Sequence, residues 1–580
     1  MNIQKKLTWG AVLMGLVPVA IAVALTGWSA NQGATDALRQ QAEQRLIAMR
    51  DVSKAQIEHY FGTIRGQVRT LSNDKMIVDA AKGLTKAFHA YPADKGLGEA
   101  EIAALRADLG GYYKNDFGGE YQTRNGGAAP NMGAVLTQIG TEAVALQNTF
   151  INANPNPLGS KHRLDDPKDG SLYARIHNMY HPHIRQFLEE FGYYDIFLVE
   201  PETGDVVYSV FKELDFATSL INGPYAQTGL GQAFREANAA TGQDAVAITD
   251  FAPYKPSYED QAGFIASPIY DNGAKVGILI FQMPIDRINA VMTHNKKWAD
   301  VGLGASGETY LVGADHKARS ISRFLAEDPD GYAAALKAGG TSQTVIDAIR
   351  TKGSNIGLQD LVTEGTQAAV SGQTGFGIFP DYRGVPVLSA YAPLAIPGLN
   401  WAIMSEIDVE EAFAAANELT RAIIQWGVGV SLAILLLAAA LGRWFALGIT
   451  RPLLRSVDVM RDIAEGEGDL TRRLDDAGND ELADFAGAFN RFADRLSGIV
   501  RQAQVSAQGV AAGAGEIKDG NVDLSQRTEE QAASLEETAS SMEQMTANVR
   551  QSADNAAKAN QMAVGARSQA EHGGRVVADA

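Results

Sequence analysis

Three pairs of acidic or amide residues recur at seven-residue spacing near the C-terminal end of this 580-residue chain: Glu529-Glu530, Glu536-Glu537 and Glu543-Gln544. On a helix rising about 1.5 Å per residue, successive pairs stand roughly 10.5 Å apart along one solvated ridge. An ordinary coiled-coil charge stripe mixes both signs. This one is almost purely acidic, with Arg527 and Arg550 only at its ends and small residues (Ala532-Ala533, Ser540-Ser541) between the pairs. A second group, His177, His181 and His183 in HNMYHPH, offers imidazoles. The i, i+4 pair suits a metal only on a continuous helix, which Pro182 is expected to disturb, so packing or surface histidines are the preferred reading. Gly302-Leu303-Gly304-Ala305-Ser306-Gly307 fits GxGxxG but leads into a strand-like run, the reverse of a dinucleotide loop, and reads as a turn. Tyr208, Tyr225, Asp250, Phe251, Tyr254 and Lys255 crowd aromatic and polar groups into one stretch. Such a set suits a small-molecule pocket with apolar walls and a few fixed polar groups, and equally a module core. No hydrolase elbow, P-loop or zinc-enzyme motif occurs, so the chain is read as a non-enzyme without cofactor or metal.

These residues need elements to hold them. The formal net charge of −18 excludes a nucleic-acid binder of the usual basic kind, and the absence of cysteine excludes disulfides and thiolate sites. Two uncharged apolar runs, 7–28 and 423–441 (the second within a span taken as 423–445), approach the ~20 residues needed to cross a bilayer. Lys5 and Lys6 precede the first, and Arg443, Arg451 and Arg455 follow the second. Positive charge outside both spans places 1–6 in the cytoplasm, 29–420 in the periplasm and the remainder in the cytoplasm, with the chain in the inner membrane. The first run also fits a cleaved signal peptide. It is long for one and a second span follows, so an uncleaved anchor is expected.

From Ala37 to Lys82, apolar residues Leu46, Met49, Val52, Ile57, Phe61, Ile64, Val68 and Leu71 recur at helical spacing, a stripe for packing on a partner helix. Residues 83–170 give no readable fold beyond a helical stretch near Met132–Thr149. Strand-like runs follow at 194–200, 205–211, 245–251, 263–270 and 275–283, with a helix near Tyr225–Ala239. A second set lies at 308–315, 317–324, 375–382, 385–394 and 400–408, interrupted by a helical stretch near Tyr332–Arg350. Two tandem α+β modules are inferred, the distal one at about 150–290 and the proximal one at about 300–410. Beyond the second span, Leu453, Val457, Met460 and Ile463 form one helical stripe, and Leu482, Phe485, Phe489, Phe492 and Leu496 another. Neither buries itself alone, so a dimeric four-helix bundle is expected.

A long N-terminal helix and two α/β sheets between two spans resemble the double Cache (PAS-like) sensor of bacterial receptors, through GLGASGETYLVGAD (302–315) and YRGVPVLSAYAPLAIPGLNWAIMSEID (382–408). Residues 446–500 resemble a HAMP linker in Pro452, Asp480-Glu481 and Phe489-Asn490, and SQRTEEQAASLEETASSMEQMTANV (525–549) resembles the methylation helix of chemotaxis receptors. The family resemblance is to methyl-accepting chemotaxis proteins. It implies methylation at Glu530, Glu537 and Gln544, the last after deamidation, by a receptor methyltransferase opposed by a methylesterase/deamidase. It also implies a homodimer, assembled into arrays, whose hairpin tip docks a histidine kinase and a coupling protein. Residues 501–580 read as the truncated start of that hairpin, without the tip. The same Cache and HAMP modules serve membrane-bound histidine kinases and cyclases, the alternative reading, and the acidic heptads argue for the receptor. A small periplasmic ligand is implied. Amino-acid sensors of this kind carry an Arg-x-Trp-Tyr element and a last-strand Asp. Here 225–260 hold no Trp and Gln282 stands near the acid's place, which argues against an amino acid.

Overall fold

The structure is a computed structural model describing residues 3–465 and, further on, residues 513–514, 517–518, 520–522, 524–526, 528, 531–532, 534, 538–568, 570 and 573–574. The helix expected from Ala37 is one piece with the first apolar run: α1 extends over Ile3–Ser72. There follow α2 (Lys75–Asp94), α3 (Glu99–Tyr112), α4 (Gly118–Arg124), α5 (Met132–Thr137), α6 (Thr141–Gln147) and α7 (Leu172–Phe191). Single π turns, Tyr113–Phe117 and Asn148–Asn152, join α3 to α4 and extend α6. The unreadable region is thus helical, and its core is shared with the first sheet. Leu84, Phe88, Tyr91, Tyr113 and Phe150 are buried in one cluster with Ile196 and Phe281, so the distal module begins well before residue 150.

That sheet comprises β1 (Asp195–Val199), β2 (Val206–Ser209), β3 (Ala247–Ile248), β6 (Phe264–Asp271) and β7 (Ala274–Gln282), in the order β2-β1-β7-β6-β3, with α8 (Gly229–Ala239) between β2 and β3. A small hairpin, β4 (Ala252–Tyr254) with β5 (Asp260–Ala262), was not legible in the sequence. Cross-strand partners share a face. The registers Asp195↔Gln282, Phe264↔Gln282 and Phe197↔Ser209 therefore put these five on one side, where α8 packs. The helices α2 and α7 cover the other side.

After α9 (Ile285–Met292) comes the second sheet, β8-β11-β10-β9, built of β8 (Glu308–Val312), β9 (Gly375–Pro380), β10 (Pro386–Pro393) and β11 (Ala402–Asp408). Between β8 and β9 lie α10 (Arg323–Glu327), α11 (Pro329–Ala338), α12 (Gln343–Lys352) and α13 (Glu364–Val370). The run 317–324, expected as a strand, makes only isolated bridges and then enters α10, because Ser322 caps that helix by accepting from the Phe324 amide. The helix near Tyr332–Arg350 is two, α11 and α12, parted at Gly339-Gly340. The segment 302–307 precedes β8 as a turn with Gly302 and Gly304 at positive φ.

The α1 stripe packs on both sheets rather than on a partner helix. Leu46 lies with Leu388, Ala390 and Ile407, and Phe61, Ile64 and Val68 enter the distal core. Arg50 donates to the carbonyls of Gly375 and Tyr391, and Phe61 meets Trp401 edge-on at 5.4 Å. Val52 remains 54% exposed.

After α14 (Val409–Ala412), α15 covers Ala414–Glu465. The N-terminal part of α1 and residues 414–444 are long and apolar enough to cross a membrane. They meet through small residues: Gly427 faces Val23, Gly27 faces Ile423 and Gly442 faces Ala11, while Thr420 donates to Asn31 at 2.7 Å. Such close approach is how spanning helices associate in lipid. In the separate C-terminal unit, residues 538–568 are helical and exposed, Gln544 among them; Glu530, Glu537 and most of 446–500 lie outside the described residues.

Candidate ligand-binding site

At the mouth of the distal sheet, β1 begins with Asp195, β2 gives way to Lys212-Glu213-Leu214-Asp215, and β7 ends with Gln282. Polar side chains at strand ends normally meet water. Here Asp195, Asp215 and Gln282 are almost wholly buried. Asp195 Oδ1 accepts from the amides of Ile196, Val210 and Phe211 at 2.6, 2.8 and 3.0 Å, which bends the chain after β2 around it. Asp215 Oδ2 accepts from the Tyr254 hydroxyl at 2.6 Å. Half-buried Glu213 accepts from Tyr194 at 2.9 Å and Ser257 at 3.3 Å, and Ser257 in turn accepts from Gln282 Nε2 at 3.2 Å. Four buried polar atoms are left without a partner: Asp195 Oδ2, Asp215 Oδ1, Gln282 Oε1 and the Tyr225 hydroxyl. Buried polar groups are nearly always satisfied, so four of the twelve such atoms among the described residues, gathered in one neighbourhood, make this the candidate binding position.

Burial raises the pKa of all three carboxyls well above the carboxylate range, and the Asp215 charge adds to the rise at Asp195 and Glu213. Two buried lysines lie nearby, and both are turned elsewhere: Lys161 donates to the Asn154 carbonyl at 2.8 Å. Lys212, in the left-handed region (φ 59°), donates to the Ser209 carbonyl and lies 4.4 Å from the Tyr208 ring centre and 5.0 Å from that of Phe216. Burial lowers its pKa. No carboxylate lies within ion-pair distance of it among the described residues. Beside this group a small cavity of about 20 Å³ is lined by Tyr112, Phe117, Lys161, Lys212, Glu213 and Tyr258. Phe117 and Tyr258 stack at 4.8 Å, and the π turn at Tyr113–Phe117 is what aims Phe117 there.

The six residues singled out from the sequence divide. Tyr225 and Tyr254 are buried beside Asp215, whereas Tyr208 points to the α7 side of the sheet, where its hydroxyl meets His181. Asp250 and Phe251 instead sit where the two modules meet: Asp250 takes a bidentate ion pair from Arg319 (2.8 and 2.9 Å) and the Trp401 indole N–H (2.9 Å), and Phe251 packs on Trp401. Lys255 is partly buried beside Tyr254. Pro182 does not break α7, because Ala174, His177, His181, Ile184 and Leu188 form a buried face that holds the helix through it. His177 and His181 stack at 4.3 Å and bond to the Asp165 and His162 carbonyls and the Tyr208 hydroxyl; burial holds both neutral. His183 is exposed. The described residues bring three metal-ligating types together at the far end of β1, where His89 pairs with Glu200 at 2.7 Å and Asp205 lies nearby. Sequence reading missed Asp195, Lys212, Glu213 and Asp215. The available signal was KELD following the apolar run VVYSVF.

Residues 444–498 match the HAMP domain model. Over 139 residues the chain is 40% identical to the methyl-accepting chemotaxis protein TlpQ of Pseudomonas aeruginosa, covering 23% of this chain and 19% of that one. Over that segment the chain is similar to methyl-accepting chemotaxis proteins. McpA of Pseudomonas putida, also of this family, is 27% identical over 298 residues, 49% of this chain and 39% of that one. The chain spans between a fifth and two fifths of the length of these curated relatives. Among solved structures, the ligand-binding domain of the Pseudomonas fluorescens chemoreceptor CtaA, in complex with L-leucine, aligns at a TM-score of 0.24 and 14% identity, covering 55% of this chain and all of that one.

Proposed function

We propose that the chain is the sensing and transmembrane part of a chemotaxis receptor in the inner membrane. Its distal module takes a small periplasmic ligand at the Asp195–Asp215–Gln282 mouth. The bound state is passed along α1 and α15 to the HAMP segment and on to a methylatable helix carrying Glu530, Glu537 and Gln544. That helix, in a homodimer, sets the activity of a histidine kinase held with a coupling protein, and a methyltransferase and a methylesterase/deamidase tune it. The observation that carries this reading is α1 itself, one unbroken helix that begins in a membrane-spanning segment and packs first on the proximal and then on the distal sheet.

The test is methyl labelling in chemotactic cells. The full-length receptor should take up base-labile methyl groups from S-adenosylmethionine only when the receptor methyltransferase is present. Labelling independent of that enzyme, or none while other receptors are labelled, would remove the receptor reading.

A further inference from the structure

We propose that the distal site selects a cationic ligand, a protonated amine that needs no carboxylate of its own, held between Asp195 and Asp215 with Gln282 and Tyr225 completing its shell. This rests on the reading of that mouth as the ligand site.

The first reason is the chemistry of the unpartnered atoms. Once the two carboxyls ionise, Asp195 Oδ2 and Asp215 Oδ1 are acceptors like Gln282 Oε1, and the Tyr225 hydroxyl can accept as well as donate. An ammonium offers up to three N–H donors and no acceptor, which answers this set. A carboxylate or phosphate would bring only acceptors to a place already crowded with them.

The second reason is the disposition of positive charge. The Lys212 ammonium is spent on the Ser209 carbonyl and the Tyr208 and Phe216 rings. Lys161 lines the adjoining void, but its ammonium donates to the Asn154 carbonyl at 2.8 Å. Arg185 is occupied by Asp165 at 2.5 Å, and Arg319 by Asp250 and Asp315. Arg124, 4.6 Å over the Tyr258 ring, is held by Glu120 at 2.6 Å, so these guanidinium groups are already engaged by carboxylates of the chain. The aromatic walls, Phe117 and Tyr258, suit the apolar body of an amine and add attraction for its charge.

Bound charge and protons then compete. Burial and mutual repulsion keep these carboxyls protonated at a pH where free ones are ionised. A cation favours the ionised form, so binding expels protons and affinity rises with pH until the amine itself deprotonates.

The experiment uses the whole chain in lipid nanodiscs, with ethanolamine, 1,4-diaminobutane and phenethylamine as probes against propionate and succinate. Melting shifts and calorimetric titrations are run near pH 6 and pH 8, in two buffers of different ionisation enthalpy. At least one amine should bind, about ten-fold or more tightly at the higher pH, with proton release. Asp195→Asn and Asp215→Asn, each keeping the side-chain volume, should each weaken it by about ten- to a hundred-fold and flatten its pH dependence. Glu200→Gln, at the other end of β1, should not. If no amine binds, or an amine binds without regard to Asp195 and Asp215, the cation assignment is overturned. If a carboxylate binds and both variants abolish it, the cation assignment falls while the site stands. If no probe responds to either variant, both fall.

Discussion

Glu308 stands directly across the β8–β11 pair from Glu406, both carboxyls buried on the face that α13 covers. Asp195 and Gln282 hold the same station in the distal sheet, the start of the first strand opposite the last strand. The two modules thus repeat a buried acid at one place, which no sequence period announced. Glu308 is well provided for, accepting from the Arg323 amide and the Tyr382 hydroxyl, both at 2.6 Å. Glu406 accepts from Ser389 at 2.8 Å, but burial, then Asp381 and Glu308, push its pKa up to about 8.

The sign of the consequence follows from proton counting. An unfolded glutamate titrates near 4.5, whereas burial pushes the folded Glu406 up to about 8, so between these values the native state holds the extra proton. Stability contributed by this group is greatest below pH 4.5 and declines as pH rises toward 8. Glu406→Gln should keep the hydrogen bond, remove the decline and stabilise the protein at pH 8 by roughly 2–4 kcal/mol. Thermal melts of both forms across that range should converge at acid pH. A constant offset at every pH would contradict the assignment.

Asp250→Ala is expected to weaken the joint between the modules and leave the distal ligand affinity within about two-fold. The change strips Arg319, only 2% exposed, of a bidentate partner and leaves Asp315 as its remaining ion pair, at a cost of about 2–3 kcal/mol. Denaturant melts followed at Trp401, whose indole loses its acceptor, would read the change. A loss of affinity comparable to that of Asp215→Asn would place Asp250 in the ligand site after all.

Reporter fusions after residue 200 should register the periplasm, and fusions after residue 500 the cytoplasm, given the basic residues outside both spans. A cytoplasmic signal at residue 200 would invert the scheme.

The tryptic peptide 528–550 should carry methyl groups on Glu530 and Glu537, and on Gln544 only after deamidation. Each ester removes one charge from a ridge of like charges, where a pair costs a few tenths of a kcal/mol. Tandem mass spectrometry would locate the groups. Methylation at Glu529 or Glu536 instead would shift the register by one residue.

The strands were largely readable, because VVYSVF, GILIFQ and VLSAYA alternate or run apolar between turn residues. The runs at 308–315 and 400–408 fall on β8 and β11. Residues 317–324 misled because the alternation in KARSISRF mimics a strand, while Arg319 and Arg323 are in fact buried by ion pairs and carbonyls that only the fold supplies. The helices before residue 170 were obscured by glycines, prolines and π turns, which tertiary packing tolerates and local propensity does not foresee. The site was half legible. Its tyrosines advertised themselves, but Asp195 and Asp215 look in sequence like solvent-facing strand ends, and burial comes only when the rest of the module folds over them.

At about 1.5 Å per residue, the seventy residues of α1 make a rod roughly 105 Å long. Such a rod transmits axial load and torque, because stretching it would break backbone bonds one after another. Arg50 and Lys54 pin it to carbonyls of the proximal sheet, and Phe61 and Val68 are embedded in the distal core. Any displacement delivered at Val68 must therefore either drag the proximal sheet along or shear those two cationic fastenings. On the proposed reading, the gearing ratio between ligand and membrane is set at Arg50 and Lys54, far from the proposed ligand site.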